Sequence, residues 1–224
     1  MDYRMLMIKA VVLDFDGTMC RLFENYDLHD LKSKLQAELL KYNISLDGFD
    51  DCFDAFRLAD RQLPSRHQRQ AALSDINRIV MNAECKAVNT GVDIDGLPLF
   101  IDLCKERGIE LGIATNNSKE CIEIFLESRG MAREIPIIGR DIYHLERMKP
   151  DPWTLNRVME ILGVNRENVL FLGDHPTDYQ CAVAAGVHFI GLAATARKKK
   201  RFQQKQSAVR LKENYYEMIE YLSL

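Results

Sequence analysis

Short apolar runs alternate with longer amphipathic stretches, and four of those stretches each stop at a glycine. Ile8–Leu13, Ile109–Ala114, Ile135–Ile138, Val169–Leu172 and His188–Leu192 have strand length and strand composition. Leu97–Arg107, Ser118–Arg129, Trp153–Leu162 and Asp178–Ala185 have helical spacing and run into Gly108, Gly130, Gly163 and Gly186. A glycine just past a helix suits the left-handed residue that closes the last turn, which only glycine adopts cheaply. Short, mostly apolar strands separated by helices predict a doubly wound α/β domain, a parallel sheet covered on both faces.

Residues 19–94 break the alternation. Asp27–Tyr42, Phe49–Arg61 and His67–Val88 repeat apolar residues at helical spacing, as in Leu28, Leu31, Leu35 and Leu39, or Phe49, Cys52, Phe53 and Phe56. No strand is expected there. The segment predicts an α-helical domain inserted into a core made of residues 1–18 and 95–224. Without it, about 150 residues remain, a normal size for one α/β domain.

Composition closes off other classes. With 47% hydrophobic residues and a net charge of −3 the chain is not disordered. Met5–Leu13 is interrupted by Lys9, falls short of a membrane span, and lacks the small-residue cleavage site of a secretory signal. The six cysteines (20, 52, 85, 104, 121 and 181) form no CxxC pair, which predicts reduced thiols in a cytoplasmic protein. The small net charge hides an asymmetry. Residues 197–212 hold eight of the 30 Lys and Arg and no acid, so the remainder carries 22 bases against 33 acids.

Four short motifs stand at predicted strand ends or in the adjoining loops, where α/β proteins bind ligands. Asp14-Phe15-Asp16-Gly17-Thr18 places two carboxylates on one side of an extended chain. Acids that close repel unless a cation or a shared proton offsets them, and Mg²⁺ prefers oxygen ligands. A polar turn ending a strand is the plainer alternative. Thr115-Asn116-Asn117 can bind phosphate through hydroxyl and backbone N–H groups, or can simply turn the chain into the next helix. Lys149, in Lys149-Pro150-Asp151-Pro152, brings one positive charge to a pocket or to solvent. Gly173-Asp174-His175-Pro176-Thr177-Asp178 again puts carboxylates after an apolar strand, with helix capping as the other use of Asp178.

In this order, the four motifs resemble those of the haloacid dehalogenase-like (HAD) hydrolase superfamily over about Ile8–Leu192. The helical block at 19–94 is similar to that superfamily's type 1 cap, as in its phosphoglycolate phosphatase-like group. The resemblance implies a Rossmann-like core and a Mg²⁺-dependent phosphatase acting on a small phosphorylated metabolite. It implies Asp14 as nucleophile, Asp16 as general acid and base, and Thr115 with Asn116 as phosphoryl ligands. Lys149 would offset the shared negative charge, and Mg²⁺ would lie among Asp14, the Asp16 carbonyl, Asp174 and Asp178. The superfamily's C–halogen-cleaving members lack an aspartate at the position of Asp16, which argues against dehalogenation. A sugar-phosphate mutase, or a non-catalytic binding protein on this scaffold, is the alternative. Met19-Cys20-Arg21 departs from the phosphoglycolate phosphatase pattern, so the substrate is not carried over.

Two basic features remain. Arg57, Arg61, Arg66 and Arg69 crowd into the helical block with Asp60 as the only acid among them, either gripping a second anionic group of the substrate or lining an exposed face. Arg197–Lys212 is expected as a solvated loop before a terminal helix at Glu213–Leu222, with an anion-binding rim as the alternative. Phe202 is its one aromatic and the rest of the chain is acidic, which weighs against nucleic acid.

Overall fold

The computed structural model describes residues 8–46, 51–131, 134–205 and 209–224. Six strands form one parallel sheet: β1 (Ala10–Leu13), β4 (Glu110–Ala114), β5 (Ile137–Ile138), β6 (Val169–Gly173), β7 (His188–Leu192) and β8 (Leu211–Lys212). Their order is β5-β4-β1-β6-β7-β8, so β1 is central and pairs with β4 on one side and β6 on the other. The chain runs outward in one direction from β1 and then returns to the other side, which opens a crevice at the carboxyl ends of the middle strands.

The four predicted helices are α4 (Leu97–Glu106), α5 (Lys119–Ser128), α6 (Trp153–Leu162) and α7 (Pro176–Ala185). Their interior faces bury Phe100, Ile122, Phe125, Leu155 and Val158, among others. Val11, Leu13, Leu170 and Leu172 point into one layer of core, and Ala10, Val12, Val169 and Phe171 into the other. That split is the period-2 alternation of strands covered on both faces. The doubly wound α/β architecture is therefore present.

Residues 19–94 supply α1 (Leu28–Leu40), α2 (Phe53–Gln62) and α3 (Arg66–Ala87). Asp27 caps α1 by accepting from the His29 and Asp30 N–H groups, and Ser65 caps α3. Leu31, Leu35, Leu39, Phe56, Ile76 and Val80 close a separate apolar cluster between these helices. Phe49, expected as its first member, lies outside the described residues, as do Met5–Met7 and residues 206–208.

The expectation of no strand in this block is corrected. β2 (Cys20–Arg21) pairs antiparallel with β3 (Val92–Asp93), joining the two ends of the block to each other. Two-residue strands are too short to write a period-2 pattern into the sequence.

The solvated loop expected at Arg197–Lys212 is also corrected. Ala196–Lys205 is helix α8, and Leu211–Lys212 is the edge strand β8 paired with Gly191 and Leu192. Phe202 is wholly buried, 6.2 Å from the Phe189 ring, and fastens α8 to the sheet. One buried apolar side chain thus seats a helix that is otherwise strongly basic. The last helix, α9 (Tyr215–Leu222), buries Tyr215 and Met218.

Candidate active site

Asp14 follows β1 directly, and its backbone N–H donates to the Leu172 carbonyl at 2.9 Å, which carries the β1–β6 pairing one residue further. Its two carboxylate oxygens part company. Oδ1 accepts from the Lys149 ammonium, and Oδ2 accepts from the Thr18 hydroxyl at 3.3 Å. Lys149 is buried, and its Nζ also donates to Asp178 Oδ1 at 2.7 Å. Burial alone would lower the Lys149 pKa, but the Asp14 and Asp178 charges outweigh it and raise it, so the lysine stays charged.

Asp178 serves both uses read from the sequence. One oxygen meets Lys149, while Oδ2 accepts from the His175 N–H at 2.9 Å and closes a capping box at the start of α7. Asp14, Asp174 and Asp178 each offer an oxygen within 4.8 Å of the others. The Asp16 side chain is not in that cluster: its Oδ1 accepts from the Leu22 N–H at 2.9 Å. Burial, then repulsion from Asp174, pushes the Asp16 carboxyl up to about 7. Burial also pushes the Asp178 carboxyl up against the pull of Lys149, and Asp174 is raised as well, again chiefly by burial.

Two glycines make the approach possible. Gly17 has φ +83°, and a Cβ there would overlap the Asp174 carboxylate. A Cβ on Gly173 would sit 2.6 Å from Asp178 Cγ. Bare backbone at both points lets the carboxylates of two loops come together.

Thr115 is buried after β4. Its hydroxyl donates to Asn117 Oδ1 at 3.0 Å and accepts from the Asn117 N–H at 3.2 Å. The Asn116 amide pairs reciprocally with the Lys149 backbone, accepting from its N–H at 2.8 Å and donating to its carbonyl at 3.3 Å. The threonine and lysine loops are thereby held to each other.

The four arginines divide. Arg57 and Arg61 line a cleft of about 610 Å³ between α2 and the Leu145–Pro152 segment, and Lys149 lines it too. Arg57 also pairs with Asp54 at 2.9 Å. Arg66 and Arg69 line an adjoining cleft of about 340 Å³ that shares Asp60, Leu145 and Glu146 with the first. Arg69 braces the α2–α3 turn by donating to the Leu63 carbonyl at 3.0 Å.

Three charged neighbours of the site were not singled out by the sequence reading. Lys198 on α8 lies 2.6 Å from Asp174 Oδ2 and donates to the Gly17 carbonyl at 3.1 Å. Glu84 and Arg140 form a wholly buried ion pair at 3.0 Å beside the Thr115–Ser118 loop. Glu84 had a signal: it shares the helical face of Ile76, Val80 and Ala87, all buried. Arg140, in an irregular segment after β5, had none.

All six cysteines are free thiols, and no helix among the described residues is long and apolar enough to cross a membrane. The model of a family described as haloacid dehalogenase-like hydrolase matches residues 11–192. Phosphoglycolate phosphatase of Rhodospirillum rubrum is 42% identical over 82 residues, which cover 36% of this chain and 33% of that protein. The chain thus spans about a third of the length of that relative. A Clostridium perfringens protein assigned the name pyrophosphatase PpaX is 27% identical over 197 residues, 85% of this chain and 86% of that one. Among solved structures, CbbY from Rhodobacter sphaeroides in complex with xylulose-(1,5)bisphosphate superposes with a TM-score of 0.63 at 21% identity, covering 94% and 96% of the two chains. That likeness is one of fold.

Proposed function

Since the chain belongs to the haloacid dehalogenase-like hydrolase family, we propose that it is a Mg²⁺-dependent phosphatase. It would hydrolyse a small phosphomonoester through an aspartyl-phosphate on Asp14. The observation that carries this reading is the cluster of Asp14, Asp174 and Asp178 oxygens within 4.8 Å, with the Lys149 ammonium bonded to two of the three residues.

An all-carboxylate donor set of this spacing, with two of its members raised in pKa by burial, suits a hard divalent cation. Asp14, Asp174, the Asp16 carbonyl and, directly or through water, Asp178 would hold it. Its chemistry there is to neutralise charge on the carboxylate nucleophile and the phosphoryl oxygens.

Asp14 attacks phosphorus, and the bond from phosphorus to the ester oxygen breaks. Asp16, partly protonated near neutral pH because its pKa is raised to about 7, gives its proton to the departing alkoxide. The Asp16 carboxylate then takes a proton from water, which attacks phosphorus and frees Asp14 and inorganic phosphate. Thr115 and the Asn116 N–H hold the transferring oxygens, and Lys149 offsets the charge they share with Asp14.

The helical block at 19–94 acts as the cap over this crevice. Arg57 and Arg61, lining the cleft that includes Lys149, suit a substrate with a second anionic group, such as a carboxylate. The Rhodospirillum relative is named for such an ester, phosphoglycolate. Six free thiols fit a cytoplasmic setting.

The test is phosphate release from a panel of carboxylated, sugar and nucleotide phosphoesters with and without Mg²⁺. Release that requires Mg²⁺ and fails in Asp14→Asn supports the reading. No release from any ester, or product isomers in place of free phosphate, overturns it.

A further inference from the structure

We propose that Glu84 and Arg140 are the positioning pair of the phosphate-contacting loop, through which the seating of α3 on the core sets Thr115, Asn116 and Lys149. The proposal deepens the phosphatase reading and rests on it.

Neither side chain has exposed surface. Taking two charges out of water is costly, and an apolar pair of the same volume often packs as stably. Stability is thus a poor reason for the pair to be here. What it touches supplies a better one. Glu84 Oε1 accepts from Asn117 Nδ2 at 3.0 Å and from Arg140 at 3.0 Å. Glu84 Oε2 accepts from the Ser118 N–H at 3.1 Å and from Arg140 at 3.2 Å. Among the described residues, each hydrogen bond to this carboxylate comes from the loop that begins at Thr115 or from the residue that braces it.

Arg140 spends its fork in the same way. It donates to the Asn116 carbonyl at 2.8 Å and to Asn77 Oδ1 of α3 at 3.0 Å. Its backbone N–H donates to the Asn117 carbonyl at 2.9 Å, and its guanidinium lies 5.0 Å from the Phe56 ring of α2. One core arginine is therefore held from one side by the helical block and from the other by the loop.

Two routes lead from the pair to the reacting groups. Asn117, fixed by Glu84, holds the Thr115 hydroxyl, and Asn116, fixed by Arg140, clamps the Lys149 backbone. A shift of α3 moves Glu84 and Asn77 together, and so moves both routes at once. Neither Glu84 nor Arg140 takes part in the chemistry.

The test uses Glu84→Gln and Arg140→Lys, which keep size while weakening the pair, and the double variant. Turnover should fall by between about ten- and a hundredfold in each, as for misplacement by a fraction of an ångström. KM should change less than kcat, and Mg²⁺ affinity should hold. The double variant should lose little beyond either single one, because both act on one loop. Inorganic phosphate, followed by calorimetry, should bind more weakly in each variant, a readout that needs no turnover.

Should either variant fail to fold, Asn77→Ala removes only the α3 contact to Arg140 Nε and should show a smaller loss of the same kind. Wild-type kcat and phosphate affinity in variants of lowered Tm would make the pair a structural brace and overturn the proposal. A wild-type protein that binds phosphate but hydrolyses no ester would sink the phosphatase reading, while phosphate affinity in the variants still decides the role of the pair.

Discussion

Lys198 reaches out of α8 to within 2.6 Å of Asp174 Oδ2, so a carboxylate of the candidate cation cluster is already paired with an ammonium. The basic segment therefore reaches the carboxyl end of the sheet, where one of its lysines pairs with a carboxylate. A hydrogen bond between charged groups is worth about 1.5–3 kcal/mol. Lys198→Met removes that competitor, and its Mg²⁺ dissociation constant should drop about tenfold by calorimetry. In EDTA the same variant should melt lower than wild type, since Asp174 loses its partner. Unchanged Mg²⁺ affinity would show that Lys198 and the cation occupy different sides of Asp174.

The pH dependence of the metal-free protein follows from Asp16. Its pKa is raised from 3.8 to about 7, so between those values the native state binds more protons than the unfolded one. That contribution is complete below the unfolded pKa and is lost as pH rises through the folded one. Asp174 is raised in the same direction. Tm in EDTA should therefore fall as pH goes from about 5 to about 8, and saturating Mg²⁺ should flatten the slope. Scanning calorimetry across the range settles it, and a Tm in EDTA that climbs with pH would contradict the assignment.

Asp14→Asn retains the shape of the nucleophile without its charge, so kcat should fall at least a thousandfold, on the order of losses seen for nucleophile removal. Circular dichroism should remain that of the wild type. Mass spectrometry of quenched wild-type enzyme should find phosphate on the peptide holding Asp14, and its absence there under steady turnover would place the nucleophile elsewhere.

Gly17→Ala adds a Cβ at φ +83° that overlaps the Asp174 carboxylate. Turnover should drop about a hundredfold because Asp174 is pushed out of the cluster. Mg²⁺ affinity should weaken with it. Gly163→Ala is the control: Gly163 also has positive φ, but a Cβ there meets nothing within 4 Å, so only stability should respond.

Phe202→Ala empties the contact that fastens α8 to the sheet. Buried Phe→Ala changes cost about 3–5 kcal/mol, so urea unfolding should shift by that order. A surface-like change below about 0.5 kcal/mol would mean that α8 is not anchored through this ring.

The motif aspartates, Thr115 and Lys149 were legible because each stands at the end of an apolar run or in a loop beside one, where chain direction alone brings carboxyl ends together. The helices were legible from apolar spacing and from the glycines that close them. β2 and β3 were not, being two residues each, and α8 was not, because its lysines mask one buried phenylalanine. Arg140 gave no sign, since an arginine outside any periodic element reads as surface until a buried partner is found for it.

Local pattern thus determined the longer core strands and helices, their order and the residues that meet at the centre of the sheet. Tertiary structure decided which charges neutralise which: Lys149 with Asp14 and Asp178, Lys198 with Asp174, and Arg140 with Glu84. It also separated Arg57 and Arg61, which share a cleft with Lys149, from Arg66 and Arg69, which do not. The reason is physical. Periodicity records which face of an element avoids water, whereas an ion pair between residues as far apart as 14 and 149 depends on distances that only the packed chain sets.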